Sequence, residues 1–166
     1  MLLRATLLAT LAVLAAMWAW SIPALNALSR GAALFDARPT GYGVDEARAL
    51  LVALGQEGRA LYLGRQQVLD TAFPALLALS LILAARRFAR PASGRGVMVL
   101  ALIYAGFDYS ENAAIARMLV AGPDGLTPDM AQLASRLTIA KYAALALTVA
   151  LLGVAAWRRR SDLPAR

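Results

Sequence analysis

Two carboxylates, Asp108 and Glu111, interrupt an otherwise apolar stretch of the sequence and are the first residues that could carry chemistry. At helical spacing they share one side of a helix with Asn112, and Tyr104 lies one turn away. A charged side chain at the centre of a membrane helix costs about 2.5 to 3.5 kcal/mol, so both acids must face other helices. Because two acids within one turn cannot both ionise freely at low dielectric, the pair resembles a proton-transfer site.

A later apolar segment supplies Lys141, a base whose expected depth matches that of the two acids. Lys141 shares a helical face with Thr138, and the simplest interpretation pairs its ammonium with one of the acids. Asp70, at the edge of another apolar segment, is predicted to pair with Arg136. The residues predicted to act as catalytic groups are Asp108, Glu111 and Lys141.

Three polar residues precede Asp70 at steps of three and four, namely Arg59, Tyr62 and Gln66. They therefore lie close to one helical face. We expect an outward-facing polar column that runs from Arg59, Tyr62 and Gln66 through Asp70 and Arg136 to Glu111, Lys141 and Asp108. The residues predicted to bind a ligand are Asp70, Asn112, Arg136, Tyr104, Thr138, Arg59, Tyr62 and Gln66.

The sequence contains no cysteine and no histidine, which excludes thiolate nucleophiles, disulfide exchange, imidazole acid/base catalysis and zinc sites built from Cys and His. We therefore expect no metal and no cofactor. The net charge of +7 does not indicate nucleic-acid binding, because the arginines flank apolar segments instead of forming a basic stripe with aromatic residues.

The composition indicates a membrane protein: 60% of the 166 residues are hydrophobic and the mean hydropathy is +0.60. Four segments are long enough to cross a bilayer core of about 30 Å, at about residues 5–28, 66–87, 97–120 and 133–157. A cleaved signal peptide is the alternative for the first segment, but its apolar stretch is long and favours an uncleaved anchor. We expect a single domain over residues 1–166.

The charges predict the orientation of this all-α, four-transmembrane-helix bundle. With both termini inside, the inner side carries nine basic residues and one acidic residue, against seven basic and six acidic residues in the two outer segments. The prediction is a multi-pass protein of a bacterial inner membrane with cytoplasmic termini. The inner basic residues are Arg4, Arg86, Arg87, Arg90, Arg95, Arg158, Arg159, Arg160 and Arg166.

The connection over residues 29–65 is predicted to form a helical cap outside the membrane. Asp45 could cap a helix that continues on an apolar period to Leu54, and Gly55 should interrupt that helix. A second helical run from Gln56 leads into the second span. An interfacial helix that covers the bundle and a lid over an outward-opening site are both compatible with this pattern.

Three classes of function fit the buried polar residues. The first is a binding or enzymatic site for a lipid or small amphiphile reached from the outer leaflet, with Lys141 or Arg136 holding an anionic head. The second is proton or cation conduction. The inner half of the third span offers only Tyr104 as a relay, but Thr148 and Ser80 on neighbouring helices keep this alternative open. The third is an assembly or accessory subunit whose charges only fix helix packing. Membrane lipids are the expected partners, with a membrane protein or a second copy as further possibilities.

The order of several short elements resembles a group of small uncharacterised bacterial four-span inner-membrane proteins. The resemblance covers most of the chain from Gly41 onward, and its most specific part is the Asp-Tyr-x-Glu-Asn element in the third span. It implies the four-span fold and implies no activity. The residues that carry it are Gly41, Tyr42, Leu54, Gly55, Gly58, Arg59, Tyr62, Asp70, Phe73, Pro74, Phe107, Asp108, Tyr109, Glu111 and Asn112.

Overall fold

The computed structural model describes residues 1–161, and this part of the chain is helical and contains no strand, which confirms the all-α prediction. Arg166, which was counted among the inner basic residues, lies outside the described residues. The long helices are α1 (Leu2–Leu28), α2 (Val44–Phe88), α3 (Pro91–Gly125) and α4 (Pro128–Ser161), and the connection between α1 and α2 contains a short 3₁₀ turn, Phe35–Ala37.

Within residues 1–161, three helices are long and apolar enough to cross a membrane, namely α1, α2 and α4. α3, which contains the third predicted span, does not reach that apolarity, because its middle carries the polar run from Asp108 to Asn112. The predicted boundary between cap and second span near residue 66 falls inside α2, which runs on from the connection into the bundle without a loop.

The surface of the bundle exposes many large apolar side chains, and its interior buries several charged ones. Large apolar side chains such as Leu102 and Leu147 are exposed, whereas Asp108, Glu111 and Lys141 are buried. Hydrocarbon does not penalise an apolar surface, and buried charges survive there only with partners. The burial pattern therefore agrees with the apolarity of the three membrane-competent helices.

Two helices change pitch at the same level of the bundle. α1 contains a π-helical turn at Met17–Ser21, and α2 contains one at Tyr62–Gln66. The hydroxyl of Ser21 donates a hydrogen bond to the side-chain carbonyl of Gln66, which links the two turns. Such turns are uncommon and occur frequently at functional sites.

The start of α2 differs from the prediction, whereas its interruption agrees with it. Gly43 is the N-cap residue, and its backbone N–H donates to the Glu46 carboxylate at 2.8 Å, so Asp45 lies in the first turn and is not the cap. The prediction placed the cap too late because glycine offers no side chain to recognise. Gly55 breaks the helix with a φ of 58°, as expected.

Helix packing creates the space in which the polar residues meet. α3 packs against both α2 and α4, with small residues such as Ala101 and Ala144 at the contact. α1 packs chiefly against α2, where the hydroxyls of Thr10 and Ser80 lie 3.3 Å apart. Because α1 stands away from α3 and α4, a gap remains between it and the other helices.

Gly41 allows the connection to approach α4 closely, and its replacement tests this contact. Its φ is +84°, and an added Cβ would lie 2.6 Å from the Ser135 Oγ and 2.9 Å from the Ile139 Cδ1. We expect Gly41→Ala to destabilise the protein by about 1–2 kcal/mol through the left-handed backbone and by a further 1–3 kcal/mol or so through overpacking, measured as the free energy of unfolding in detergent.

Gly31→Ala is the matched control for this substitution. Gly31 has nearly the same φ, +82°, but nothing lies within 4 Å of an added Cβ, so only the backbone cost applies. Equal destabilisation by the two substitutions would contradict the close approach of Gly41 to α4.

Candidate functional site

The gap beside α1 is a cavity of about 230 Å³, which we call the polar cavity. All four long helices and the connection before α2 contribute to its wall. Apolar side chains, including Leu14, Phe73 and Leu145, line part of it. The polar and charged side chains of its wall are Asp36, Asp70, Tyr104, Asp108, Asn112, Lys141 and Tyr142.

Asn112 joins the two acids that face the polar cavity from neighbouring helices. Its side-chain amide donates to the Asp108 carboxylate at 3.2 Å and to the backbone carbonyl of Asp70 at 3.1 Å. The Gln66 amide donates to the Asp70 carboxylate at 3.1 Å. One hydrogen-bonded series thus runs from α1 through α2 to α3, over Ser21, Gln66, Asp70, Asn112 and Asp108. The carboxylates of Asp70 and Asp108 both lie on the cavity wall.

Glu111 lies behind the cavity wall and is completely buried. The Thr138 hydroxyl donates to one carboxylate oxygen at 2.5 Å, and the Lys141 ammonium forms an ion pair with the other. The structure thus selects Glu111 as the partner of Lys141 from the two acids that the sequence allowed. Lys141 itself remains on the cavity wall, where its ammonium lies 5.2 Å from the centre of the Tyr142 ring.

Asp36 also belongs to the polar cavity, although the sequence did not predict it as a site residue. The 3₁₀ turn is held by Phe35, which is fully buried between the rings of Tyr42 and Tyr62 at centroid distances of 5.3 and 6.3 Å. The Tyr62 hydroxyl donates to the Asp36 carboxylate at 2.5 Å, and the Tyr142 hydroxyl donates to its backbone carbonyl at 2.9 Å. Helical periodicity could not find Asp36, because it lies in a connection with no repeating pattern.

Two residues of the predicted polar column lie elsewhere. Arg59 donates to the backbone carbonyls of Gly55 and Leu119, both at 3.1 Å, and so ties the break in α2 to α3. Arg136 is exposed and forms no ion pair with Asp70 among residues 1–161, so the predicted pairing of these two residues is wrong. The guanidinium instead reaches the surface, where solvation is cheaper than burial.

The remaining predicted residues fall in or beside the polar cavity. Tyr104, Asp70, Asp108, Asn112 and Lys141 are on its wall. Four others lie behind the wall. Tyr62, Gln66 and Glu111 bind the wall residues Asp36, Asp70 and Lys141 in turn, and Thr138 binds Glu111.

The charges of the polar cavity are unequal. Three carboxylates, Asp36, Asp70 and Asp108, face one ammonium, and the charge of that ammonium is already balanced by Glu111. Next to this site, burial together with the nearby Glu111 raises the pKa of the Tyr42 hydroxyl, so Tyr42 stays neutral. Among the described residues, no group of three or more acidic side chains could hold a metal ion.

Comparison of the chain with protein-family models, with curated proteins and with solved structures finds no match.

The ion pair between Lys141 and Glu111 predicts a non-additive effect of substitution. Lys141→Met leaves a completely buried carboxylate without its base and should cost about 3–5 kcal/mol of unfolding free energy. Glu111→Gln combined with Lys141→Met removes both charges and should restore most of that loss. The measurement is a double-mutant cycle of unfolding in detergent, and a double variant as unstable as the sum of the two single variants would contradict the pairing.

Proposed function

We propose that the chain crosses the membrane four times, with α3 as the third span despite its acids. α3 runs between α2 and α4. It breaks at Gly122, where φ is 69°. The part before this break is long enough to cross, since about 30 helical residues extend about 45 Å. Its inner half exposes Leu102 and Ile103, whereas Asp108 and Glu111 turn towards the other helices. A helix placed in this way shields its charges from lipid.

The proposed orientation puts both termini in the cytoplasm of a bacterium and the segment over residues 29–65 outside the inner membrane, as a cap. The concentration of arginine at the end of the bundle that carries both termini supports this orientation. The exposed Trp18 and Trp20, near the opposite end of α1, suit an aromatic belt at the outer interface. The family proposed is the group of small four-span proteins with the Asp-Tyr-x-Glu-Asn element.

We propose that the polar cavity binds a lipid or small amphiphile that enters from the outer leaflet. The observation that carries this proposal is that an apolar wall and three carboxylates line one cavity beside a helix, α1, that stands away from α3 and α4. We infer that an apolar chain enters this cavity between α1 and the helices α3 and α4. Its carboxylates would fix the polar group of the same molecule.

The charges indicate which polar group the ligand carries. An anionic head held by Lys141 or Arg136 has no support, because Lys141 is paired and Arg136 is exposed away from Asp70. Three carboxylates favour an amine, an ammonium or a group with several hydrogen-bond donors. We assign the contact with this group to Asp70 and Asp108, with Asp108 and Lys141 as the candidates for proton transfer and Glu111 as the residue that positions Lys141.

The competing hypothesis is an assembly or accessory subunit. The hydrogen bonds of Asn112 and the pairing of Glu111 favour it, because these contacts link α2, α3 and α4 whether or not a ligand binds. Conduction has less support. Beyond Tyr104, the buried side chains of α3 are the apolar Ala101 and Val97. The buried hydroxyls on neighbouring helices, those of Thr10, Ser80 and Thr148, supply no ionisable group there. A binding measurement separates the first two hypotheses.

Trp18 lies on the wall of the polar cavity and reports on its occupation. In a protein carrying Trp20→Phe and Trp157→Phe, we expect a brominated long-chain alkylamine in detergent micelles to quench the remaining fluorescence saturably. Asp70→Asn with Asp108→Asn should weaken this binding about tenfold or more, equivalent to 1.4 kcal/mol or more at about 25 °C. The brominated fatty acid of equal length should bind less tightly than the amine.

Asp129→Asn, which changes a carboxylate in the first turn of α4 outside the polar cavity, is the control and should leave quenching unchanged. If the Asp70→Asn, Asp108→Asn protein quenches as the parent protein does and only unfolds at a lower temperature, the binding proposal fails and the assembly hypothesis gains.

A further inference from the structure

The end of the bundle at which α1 begins and α4 ends, which we call the basic end, has a strongly one-sided charge. Among residues 1–161, the ends of the helices that meet there contain arginines and no acidic residue. The arginines of the basic end are Arg4, Arg86, Arg87, Arg90, Arg95, Arg158, Arg159 and Arg160. This end lies opposite the connection that closes the polar cavity.

Two apolar grooves meet at the basic end on either side of Phe88. The first, about 570 Å³, lies between the start of α1 and the end of α2, with Arg4 and Arg86 at its edge. The second, about 430 Å³, lies between the ends of α2 and α4, with Arg159 and Arg160 at its edge. Phe88 and Arg87 belong to both grooves.

The position of Arg87 between the grooves is fixed by local contacts. Arg159 donates to the backbone carbonyls of Arg87 and Ala89, at 2.9 and 3.1 Å, and so holds the end of α2 against α4. The Arg87 guanidinium lies 5.4 Å from the centre of the Phe88 ring. The backbone that carries Arg87 is therefore fixed against α4, and its exposed guanidinium lies beside Phe88, where the two apolar grooves join.

We propose that the basic end binds an anionic phospholipid, with its phosphate on Arg87 and its acyl chains in the two grooves beside Phe88. Guanidinium groups bind phosphate oxygens with paired hydrogen bonds, and apolar grooves that reach the membrane accept hydrocarbon. A free phosphate ion would use the arginines and leave the grooves empty. A zwitterionic lipid brings its own cation into a field of arginines and is disfavoured.

This lipid site is independent of the amphiphile proposed for the polar cavity. It shares no lining residue with the polar cavity, and the charges that select its ligand have the opposite sign. Loss of one binding activity with retention of the other therefore identifies which proposal has failed.

The test uses the full chain in a non-ionic detergent and native mass spectrometry. We expect phosphatidylglycerol and diphosphatidylglycerol to remain bound at concentrations at least tenfold below those needed for phosphatidylcholine. Arg4→Gln, Arg87→Gln and Arg160→Gln combined should abolish most of that preference. Inorganic phosphate at millimolar concentration should not displace the lipid, whereas displacement would identify a simple anion site and overturn the proposal.

A matched control removes three positive charges far from the basic end: Arg65→Gln, Arg117→Gln and Arg136→Gln, all on exposed residues. This variant should bind phosphatidylglycerol as the parent protein does. An equal loss of lipid preference in both triple variants would show that only net charge matters and would overturn the proposed site. An unchanged preference in the variant of Arg4, Arg87 and Arg160 would also overturn it. The thermal unfolding of each variant, measured without added lipid, shows whether it is folded.

Discussion

The arrangement of the bundle depends on how buried charges find partners in a medium without water. Glu111 is completely buried, and the Lys141 ammonium and the Thr138 hydroxyl satisfy its two oxygens. Both partners come from α4, one helical turn apart, so the requirement fixes the rotation and the register of α4 against α3. A polar group in hydrocarbon without such partners would cost several kcal/mol, and packing between apolar helices offers no comparable selectivity.

The same requirement explains why the other acids lie around a cavity. Asn112 can supply donors to Asp108 and to the backbone at Asp70, and Gln66 supplies one more to Asp70. These donors satisfy part of the acceptor capacity of two carboxylates, each of which has about four lone-pair positions. Close packing of α1 on this surface would bury the remaining acceptors, whereas a gap lined by carboxylates leaves room for a ligand or water to satisfy them.

Sequence reasoning could predict the part of the site that helical geometry determines. The spacing of Asp108, Glu111 and Asn112 places them on one helical face. The depth expected for Lys141 equals theirs, because membrane thickness relates a residue's position in its span to its depth. Asp36 could not be predicted, because no periodic pattern determines its position. The packing of Phe35 between two tyrosine rings determines it instead. The pairing of Arg136 with Asp70 was wrong because it rested only on their similar expected depth in the membrane. A long side chain near the end of a span can turn outward to the surface.

The polar cavity and the basic end carry opposite charges, and this difference follows from the distribution of residues along the helices. The polar cavity concentrates carboxylates where α1 separates from α3 and α4, whereas the basic end concentrates guanidinium groups where the ends of α1, α2 and α4 enclose apolar grooves. In the two proposals, a molecule that carries acyl chains reaches either site from the bilayer, so hydrocarbon alone does not discriminate between the sites. The proposed discrimination is by the charge of the polar group, because carboxylates attract an amine and guanidinium groups attract a phosphate.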